Sequence, residues 1–433
     1  MKIIHVADFH LGASPIKLEA DKKRERKKEI IDNFYRLIMY AKEHGIKAVI
    51  IAGDFFDVKE PRIKIAQRIK EEIEEAKDIS FFYLRGNHDE GVFDNEALPE
   101  NLHLFSKDVF SFFEIEAGVC ICGKEITENS AGYDFDGLRL DPLKINIVVL
   151  HGNLIKGVPV LKDDINIKNL ENKNIDYLAL GHIHKRSEGV IDERGSYAYS
   201  GCIEGRGFDE AEEIVYRLKN VTSSEKVKDK ENSFYEAGKS EGSSSKETLK
   251  RESTASEETL KRESTASKLV RINESFESDK EYYKGFYVYD TESKQKEFVS
   301  FCKRRIFNLR IDLTGSKSEN EALSVIKDMV ADAKEKMPCI SAIDIVRVTL
   351  EGKVDYNFTT LSDRVVNLFG DRFFYFEVKV KLSKFYNASD YLEDKSFIGE
   401  FIRTVMESID NEEQRALIIE TGLKVFKRKE GKR

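Results

Sequence analysis

Five short apolar segments of this chain each stop at a residue or pair that can bind a metal ion. Residues 2–7 (KIIHVA) lead to Asp8 and His10, 47–52 (KAVIIA) to Gly53-Asp54, and 80–85 (SFFYLR) to Gly86-Asn87-His88-Asp89. The run at 145–150 leads to His151-Gly152, and 176–180 (DYLAL) to Gly181-His182-Ile183-His184. Short, bounded apolar runs of this kind read as buried strands. Helical spacing lies between them. Ile30, Ile31, Phe34, Leu37, Ile38 and Ala41 define a helix from Glu29 to His44 that Gly45 stops, and Pro61 opens a second with Ile65, Ile69, Ile73 and Ala76 on one face. Strands alternating with helices predict an α/β layered fold. In such folds ligands gather beyond the carboxyl ends of the strands, where all five polar motifs sit.

The 433 residues are enough for two or three domains. A net charge of −8 carries no global nucleic-acid signature, so any phosphate-binding surface has to be local. Residues 22–28 and 427–433 are the basic runs available, and a merely solvated charged face explains either equally well. Cys120 and Cys122 have no matching partner pair, which argues against zinc. The first apolar run is cut short by Asp8, and no stretch approaches a membrane span. A cytoplasmic protein without disulfides or membrane contact is the expectation.

Beyond residue 213 the composition shifts to Ser, Lys, Glu and Thr, and ETLKRESTAS at 247–256 recurs unchanged at 258–267. One Leu per repeat cannot build a helical seam, so the stretch reads as a disordered insertion, whose first residues 214–218 (IVYRL) are either a strand or a disordered start. Residues 285–299 read as a hairpin around Thr291-Glu292-Ser293. Strands at 307–313, 343–350 and 373–382 alternate with helices at 318–336 and 361–369, a βαβαβ order that predicts a small separate α/β domain. Two amphipathic helices close the chain. Phe397, Phe401, Ile402, Val405 and Ile409 line one, and Leu417, Ile418 and Val425 lie in the other; they can dock on a partner or on their own domain.

Taken singly, each strand-end motif is more often structural than chemical. Taken together, the motifs hold five of the eight histidines. They supply two carboxylates, an amide and four imidazoles, enough for two ions, with one histidine to spare. Mixed carboxylate and imidazole ligands suit manganese, iron or zinc rather than calcium. His5, His44 and His103 lack such company and read as structural.

The motif series resembles that of the calcineurin-like metallophosphoesterases. The start MKIIHVADFHLG and the stretch YSGCIEGRGFDE (199–210) resemble more narrowly the SbcD/Mre-type DNA-repair exonucleases, over residues 1–212 and about 284–390. The resemblance implies a two-sheet metallophosphoesterase sandwich flanked by helices, plus a small α/β capping domain and C-terminal helices. The nuclease domain would span 1–297, interrupted by the insertion at about 214–283, with the capping domain at 304–387 and the terminal helices at 391–433. It implies that Asp8, His10 and His184 hold one ion, that Asn87, His151 and His182 hold the other, and that Asp54 bridges. His88 would then stand beside the substrate phosphate, stabilising the transition state or protonating the leaving oxygen.

Some nucleases of the family carry histidine three residues after the bridging aspartate; here the position is Asp57. In related phosphoesterases an aspartate there pairs with the catalytic histidine, so an Asp57–His88 pair is expected. The activity implied is two-metal hydrolysis of DNA phosphodiesters in repair, with Mn²⁺, alongside an SbcC-type coiled-coil ATPase; homodimerisation is left open. A phosphoesterase acting on small nucleotides or phosphoproteins is the alternative, and a non-catalytic scaffold for the ATPase a third.

Overall fold

The computed structural model describes residues 1–13, 18–57, 62–89, 91–94, 96–126, 132–220, 267–271, 284–336, 340–384, 391, 393–411, 414, 415, 417–419 and 421–423. All five apolar segments form strands, and they divide between two six-stranded sheets. In the first, β1 (Lys2–Val6), β2 (Ala48–Ala52), β3 (Ser80–Leu84) and β4 (Leu102–Leu104) run parallel. The expected hairpin, β15 (Gly285–Asp290) and β16 (Lys296–Ser300), extends this sheet antiparallel beyond β1. The second has the order β11 (Ser187–Val190), β12 (Ser196–Tyr199), β10 (Tyr177–Gly181), β7 (Ile145–His151), β6 (Val119–Gly123) and β5 (Ser111–Glu116). Its four central strands are parallel and its two edges antiparallel, and a separate parallel pair is formed by β8 (Asn153–Ile155) and β9 (Asp164–Asn166).

The strands read as continuous apolar runs because both of their faces are buried. Ile3, Ile50 and Phe82 of the first sheet share one core with Ile121, Ile147, Val149 and Tyr177 of the second. Their neighbours in the alternation, Ile4, Val49, Ile51 and Phe81, point the other way into a core with α1 (Ala20–Glu43) and α2 (Arg62–Glu75). The result is a two-sheet sandwich with helices on its outer face. His5 crosses the inner layer, with Nδ1 2.7 Å from the Tyr177 hydroxyl, and so has the structural role expected of it. Helix α1 starts at Ala20, well before Glu29. Its first turns are too charged to show apolar periodicity. Arg26, inside the basic run, is buried at 1% exposure and bonded to Glu29 and Glu204, so that run is not a uniform solvated face.

A third sheet has the order β14 (Ser267–Arg271), β13 (Glu212–Asn220), β17 (Ile306–Asp312), β18 (Ile345–Val354) and β19 (Tyr375–Lys384). The helices α3 (Glu319–Lys336) and α4 (Leu361–Phe369) contribute Ile326, Met329 and Val365 to its core. Parts of the segment read as a disordered insertion are therefore strand: residues 214–218, for which a strand was one alternative, lie in β13, and 267–271 form β14. β13 pairs parallel with β17, and its Ile214 and Tyr216 are buried in this core. Apart from Ser267, the repeat lies outside the described residues. In the final segment α5 (Phe397–Ser408) buries Ile402 and Val405 against Ile419 and Leu423. The second apolar face is thus set by Ile419 and Leu423, while Leu417 is 65% exposed and Val425 lies outside the described residues. Among the described residues no helix is long and apolar enough to cross a membrane.

Candidate metal centre

The seven residues expected as ligands come together where β1, β2 and β3 of one sheet end beside β7 and β10 of the other. Three contacts hold the strand ends close. The Asp8 amide donates to the Gly53 carbonyl at 3.0 Å, the His182 amide donates to Asp8 Oδ1 at 3.0 Å, and the His88 amide donates to Asp54 Oδ1 at 3.0 Å. The approach demands glycine. A Cβ on Gly53 would fall 2.1 Å from His151 Nδ1, and one on Gly86 would fall 2.2 Å from Asp54 Oδ1. Four of the expected ligands have left-handed backbones: Asp8 (φ 53°), His10 (49°), Asp54 (51°) and His182 (97°). Each such residue costs on the order of 1–3 kcal/mol and persists only where the surrounding structure over-determines it.

Two triads result. Asp8, His10 and His184 each place a ligand atom within 4.8 Å of the others, and so do Asp54, His151 and His182. His10 Nε2 and His184 Nε2 lie 3.0 Å apart, aimed at one point. Asp54 Oδ2 belongs to the second triad, 3.4 Å from His151 Nε2, and also faces the first, 3.7 Å from His10 Nε2. Asn87 Oδ1 joins the second, 3.2 Å from His151 Nε2.

Tautomers follow from the outer partners. His151 Nδ1–H donates to the Ala52 carbonyl at 2.9 Å and leaves Nε2 facing Asp54 and Asn87. His184 Nδ1–H donates to Glu210 Oε1 at 2.8 Å and leaves Nε2 facing His10. Asp8 Oδ2 and His10 Nδ1 are buried without a hydrogen-bond partner among the described residues.

The charges show what the site accommodates. Burial pushes the Asp8 carboxyl up to about 6. Burial works against ionisation of Asp54 too, but the His151 and His10 imidazoles hold its carboxyl well below the usual range. Burial also disfavours a His151 cation, yet Asp54 and Asp8 raise that imidazole to about 9. Burial, reinforced by the nearby Arg206 guanidinium, takes His10 down to about 3. The carboxylates thus draw positive charge into a space lined by nitrogen and oxygen donors. This donor set fits two divalent cations, with Asp54 able to serve both.

His88 sits apart from the two triads, at the more exposed rim. Its Nδ1 is 2.8 Å from Asp57 Oδ1, the pairing that the resemblance implies. Asp57 Oδ2 in turn lies 3.3 Å from Arg206 Nη1. His10, Asp57 and His88 also converge within 4.8 Å.

Three supporting residues went unassigned in the sequence reading. Glu210 gathers His184 and Arg206. Asp89, fully buried, accepts from the amides of Phe55 (2.9 Å), Phe56 (2.6 Å) and Gly86 (3.1 Å), tying the loop after β2 to the loop after β3. Burial, with the Asp54 charge nearby, pushes its carboxyl up to about 7. Asp163 Oδ2 lies 3.3 Å from His182 Nε2. Asp89 and Glu210 stand within the quoted motifs, but only the folded chain shows what each one holds.

Residues 1–186 match the calcineurin-like phosphoesterase family. Among curated proteins, the chain is 26% identical over 51% of its length to the DNA double-strand break repair protein Mre11 of Sulfolobus acidocaldarius, covering 59% of that protein. It is 28% identical over 52% of its length to the uncharacterized metallophosphoesterase YhaO of Bacillus subtilis, covering 58% of that one. The chain thus spans under three fifths of the length of these two relatives. A solved dimetal phosphatase from Danio rerio aligns over 46% of this chain and 86% of its own, with a TM-score of 0.32 and 9% identity.

Proposed function

We propose, from the premise that residues 1–186 form a calcineurin-like phosphoesterase domain, that the chain is a two-metal DNA nuclease acting in repair. The observation that carries the hydrolytic part is Asp54 Oδ2, one carboxylate oxygen of the second triad that also faces the His10 imidazole of the first. Asp8, His10 and His184 would hold one cation, Asn87, His151 and His182 the other, and Asp54 both. Bound there, the cations, Mn²⁺ in this reading, supply Lewis acidity and lower the pKa of water. The protein's own groups do the rest. Asp8, His10, Asp54 and His151, all buried, hold the geometry of the site. His88, at the open rim and paired with Asp57, would donate from Nε2 to the leaving oxygen of an in-line displacement.

DNA as substrate, in exonucleolytic or also endonucleolytic cleavage, is supported by the similarity to proteins named for double-strand break repair. In this reading residues 1–297 are the nuclease domain and 304–387 the capping domain, with β13 and β14 lent to the capping sheet. The segment 391–433 offers a docking surface for an SbcC-type coiled-coil ATPase. Phe397 and Leu417, 69% and 65% exposed beside the small cluster around Ile402, support that reading.

The test is cleavage of end-labelled duplex DNA with added Mn²⁺, beside a small aryl phosphodiester. His88→Ala is expected to lose about 10²–10⁴-fold in turnover while keeping its bound metal. Normal turnover of that variant sinks the role of His88. Cleavage of the small ester without cleavage of DNA favours a phosphoesterase of small nucleotides or phosphoproteins.

A further inference from the structure

Arg206 lies between the Asp57–His88 pair and the Glu210–His184 pair. Its Nη1 donates to Asp57 Oδ2 at 3.3 Å, while the other oxygen of Asp57 is 2.8 Å from His88 Nδ1. On its other side Nε and Nη2 donate to Glu210 Oε1 at 3.1 and 2.8 Å. The same oxygen accepts the His184 Nδ1–H at 2.8 Å. The Arg206 amide donates to Glu210 Oε2 at 2.7 Å, and the side chain is only 16% exposed, so the guanidinium is held at both ends. Arg206 Nη2 also lies 3.1 Å from His184 Nδ1. Two N–H groups cannot bond one another; both converge on Glu210 Oε1.

A carboxylate bonded through one oxygen can turn about its Cβ–Cγ bond. Asp57 has its two oxygens divided between His88 and Arg206, which fixes the carboxylate plane and with it the direction of the imidazole. Glu210 is likewise pinned by the fork, and through Glu210 so is the ring of His184. A planar guanidinium can serve two carboxylates at fixed angles, whereas an ammonium cannot. Groups one bond removed from metal ligands commonly set ligand orientation.

We propose that Arg206 is a positioning residue for His88 and His184 together: it fixes the Asp57 carboxylate that directs His88, and it anchors the Glu210 carboxylate that directs His184. This rests on the reading of His88 as the leaving-group acid and of His184 as a metal ligand. It adds one residue through which the two are set together.

The experiment compares wild type, Asp57→Asn, Glu210→Gln, Arg206→Ala and Arg206→Lys in the full chain. Each is assayed with Mn²⁺ on two aryl phosphodiesters, one releasing p-nitrophenolate and one releasing unsubstituted phenolate. Mn²⁺ binding is measured separately by calorimetry. Asp57→Asn is expected to lower kcat on the phenyl ester by about 10-fold or more, with far less effect on the nitrophenyl ester, whose leaving group needs no proton, and none on Mn²⁺ affinity. Glu210→Gln is expected to weaken Mn²⁺ binding by about 10-fold or more, without leaving-group dependence. Arg206→Ala is expected to show both signatures, and to add little leaving-group effect when combined with Asp57→Asn.

A folded Arg206→Ala protein with one signature or neither overturns the proposal, as does full additivity with Asp57→Asn. If Arg206→Ala does not fold, Arg206→Lys carries the same test, and wild-type behaviour in both readouts overturns it. Failure of wild type to hydrolyse either ester counts against the phosphoesterase reading instead. The calorimetric comparison of the Arg206 and Glu210 variants still decides the Arg206–Glu210 link in that case.

Discussion

Glu204 lies two residues before Arg206 and is 1% exposed. Its Oε1 accepts from Arg26 Nη2 at 2.6 Å and from the Arg304 amide at 3.1 Å. Its Oε2 accepts from Asn33 Nδ2 at 3.0 Å and from the Lys303 amide at 2.7 Å. One carboxylate thereby joins α1, the stretch entering the third sheet and the loop that carries Arg206. In Glu204→Gln one oxygen becomes an NH₂ group facing two donors, both of which lose their acceptor. Orphaned buried donors cost about 1–3 kcal/mol each. Arg26, itself 1% exposed, also loses a charged partner and keeps Glu29. Breaking one side of a buried ion pair destabilises by about 3–5 kcal/mol, in line with the two orphaned donors. At roughly 2–4 °C per kcal/mol for domains of ~150–250 residues, the melting temperature should fall by about 10 °C. Differential scanning calorimetry of wild type and Glu204→Gln decides it. A shift below about 2 °C, corresponding to less than ~1 kcal/mol, would refute the claim that this carboxylate is a structural hub.

Two further outcomes follow from the same geometry. In Gly53→Ala the new Cβ lands 2.1 Å from His151 Nδ1 on a backbone with φ of 91°, so the imidazole has to leave the Ala52 carbonyl. Metal affinity should fall by about 10–100-fold, read by titration calorimetry, and an unchanged affinity excludes His151 as a ligand. Burial alone would raise the Glu29 carboxyl, but hydrogen bonds from Arg304 and Lys303 override it and hold the group down from 4.5 to about 2. A depressed folded pKa contributes stability that is present above the unfolded value and lost on acidification. Melting temperature should therefore drop as pH falls from about 4.5 toward 2, and that acid limb should flatten in Glu29→Gln; identical pH profiles contradict it.

The strand-end residues were legible because each lies next in sequence to the apolar run that positions it. Asp8 and His10, Asp54, Asn87, His151, and His182 with His184 are strand ends before they are anything else. The Asp57–His88 contact was foreseen from the resemblance, and the two side chains do meet. Glu210 and Asp89 stood within quoted motifs but signalled nothing, because their partners are remote in sequence or are main-chain amides. The true start of α1 was hidden by charge, since Arg26 and Glu29 are buried as an ion cluster rather than as an apolar stripe.

The edge of the third sheet was hidden for a different reason. A strand at 214–218 was one of the alternatives the sequence left open, but nothing local says that it pairs with β17 rather than with the sandwich it follows. Apolar periodicity and short-range punctuation are local properties, so the sequence by itself determined the alternation of strands and helices and the residues that reach the strand ends. Which strand ends face one another, which carboxylate oxygen of one triad also faces the other, and that Arg206 spans Asp57 and Glu210 depend on contacts between remote segments. Those were decided only when burial of two apolar faces drew the sheets together and left the polar ends no other place to converge.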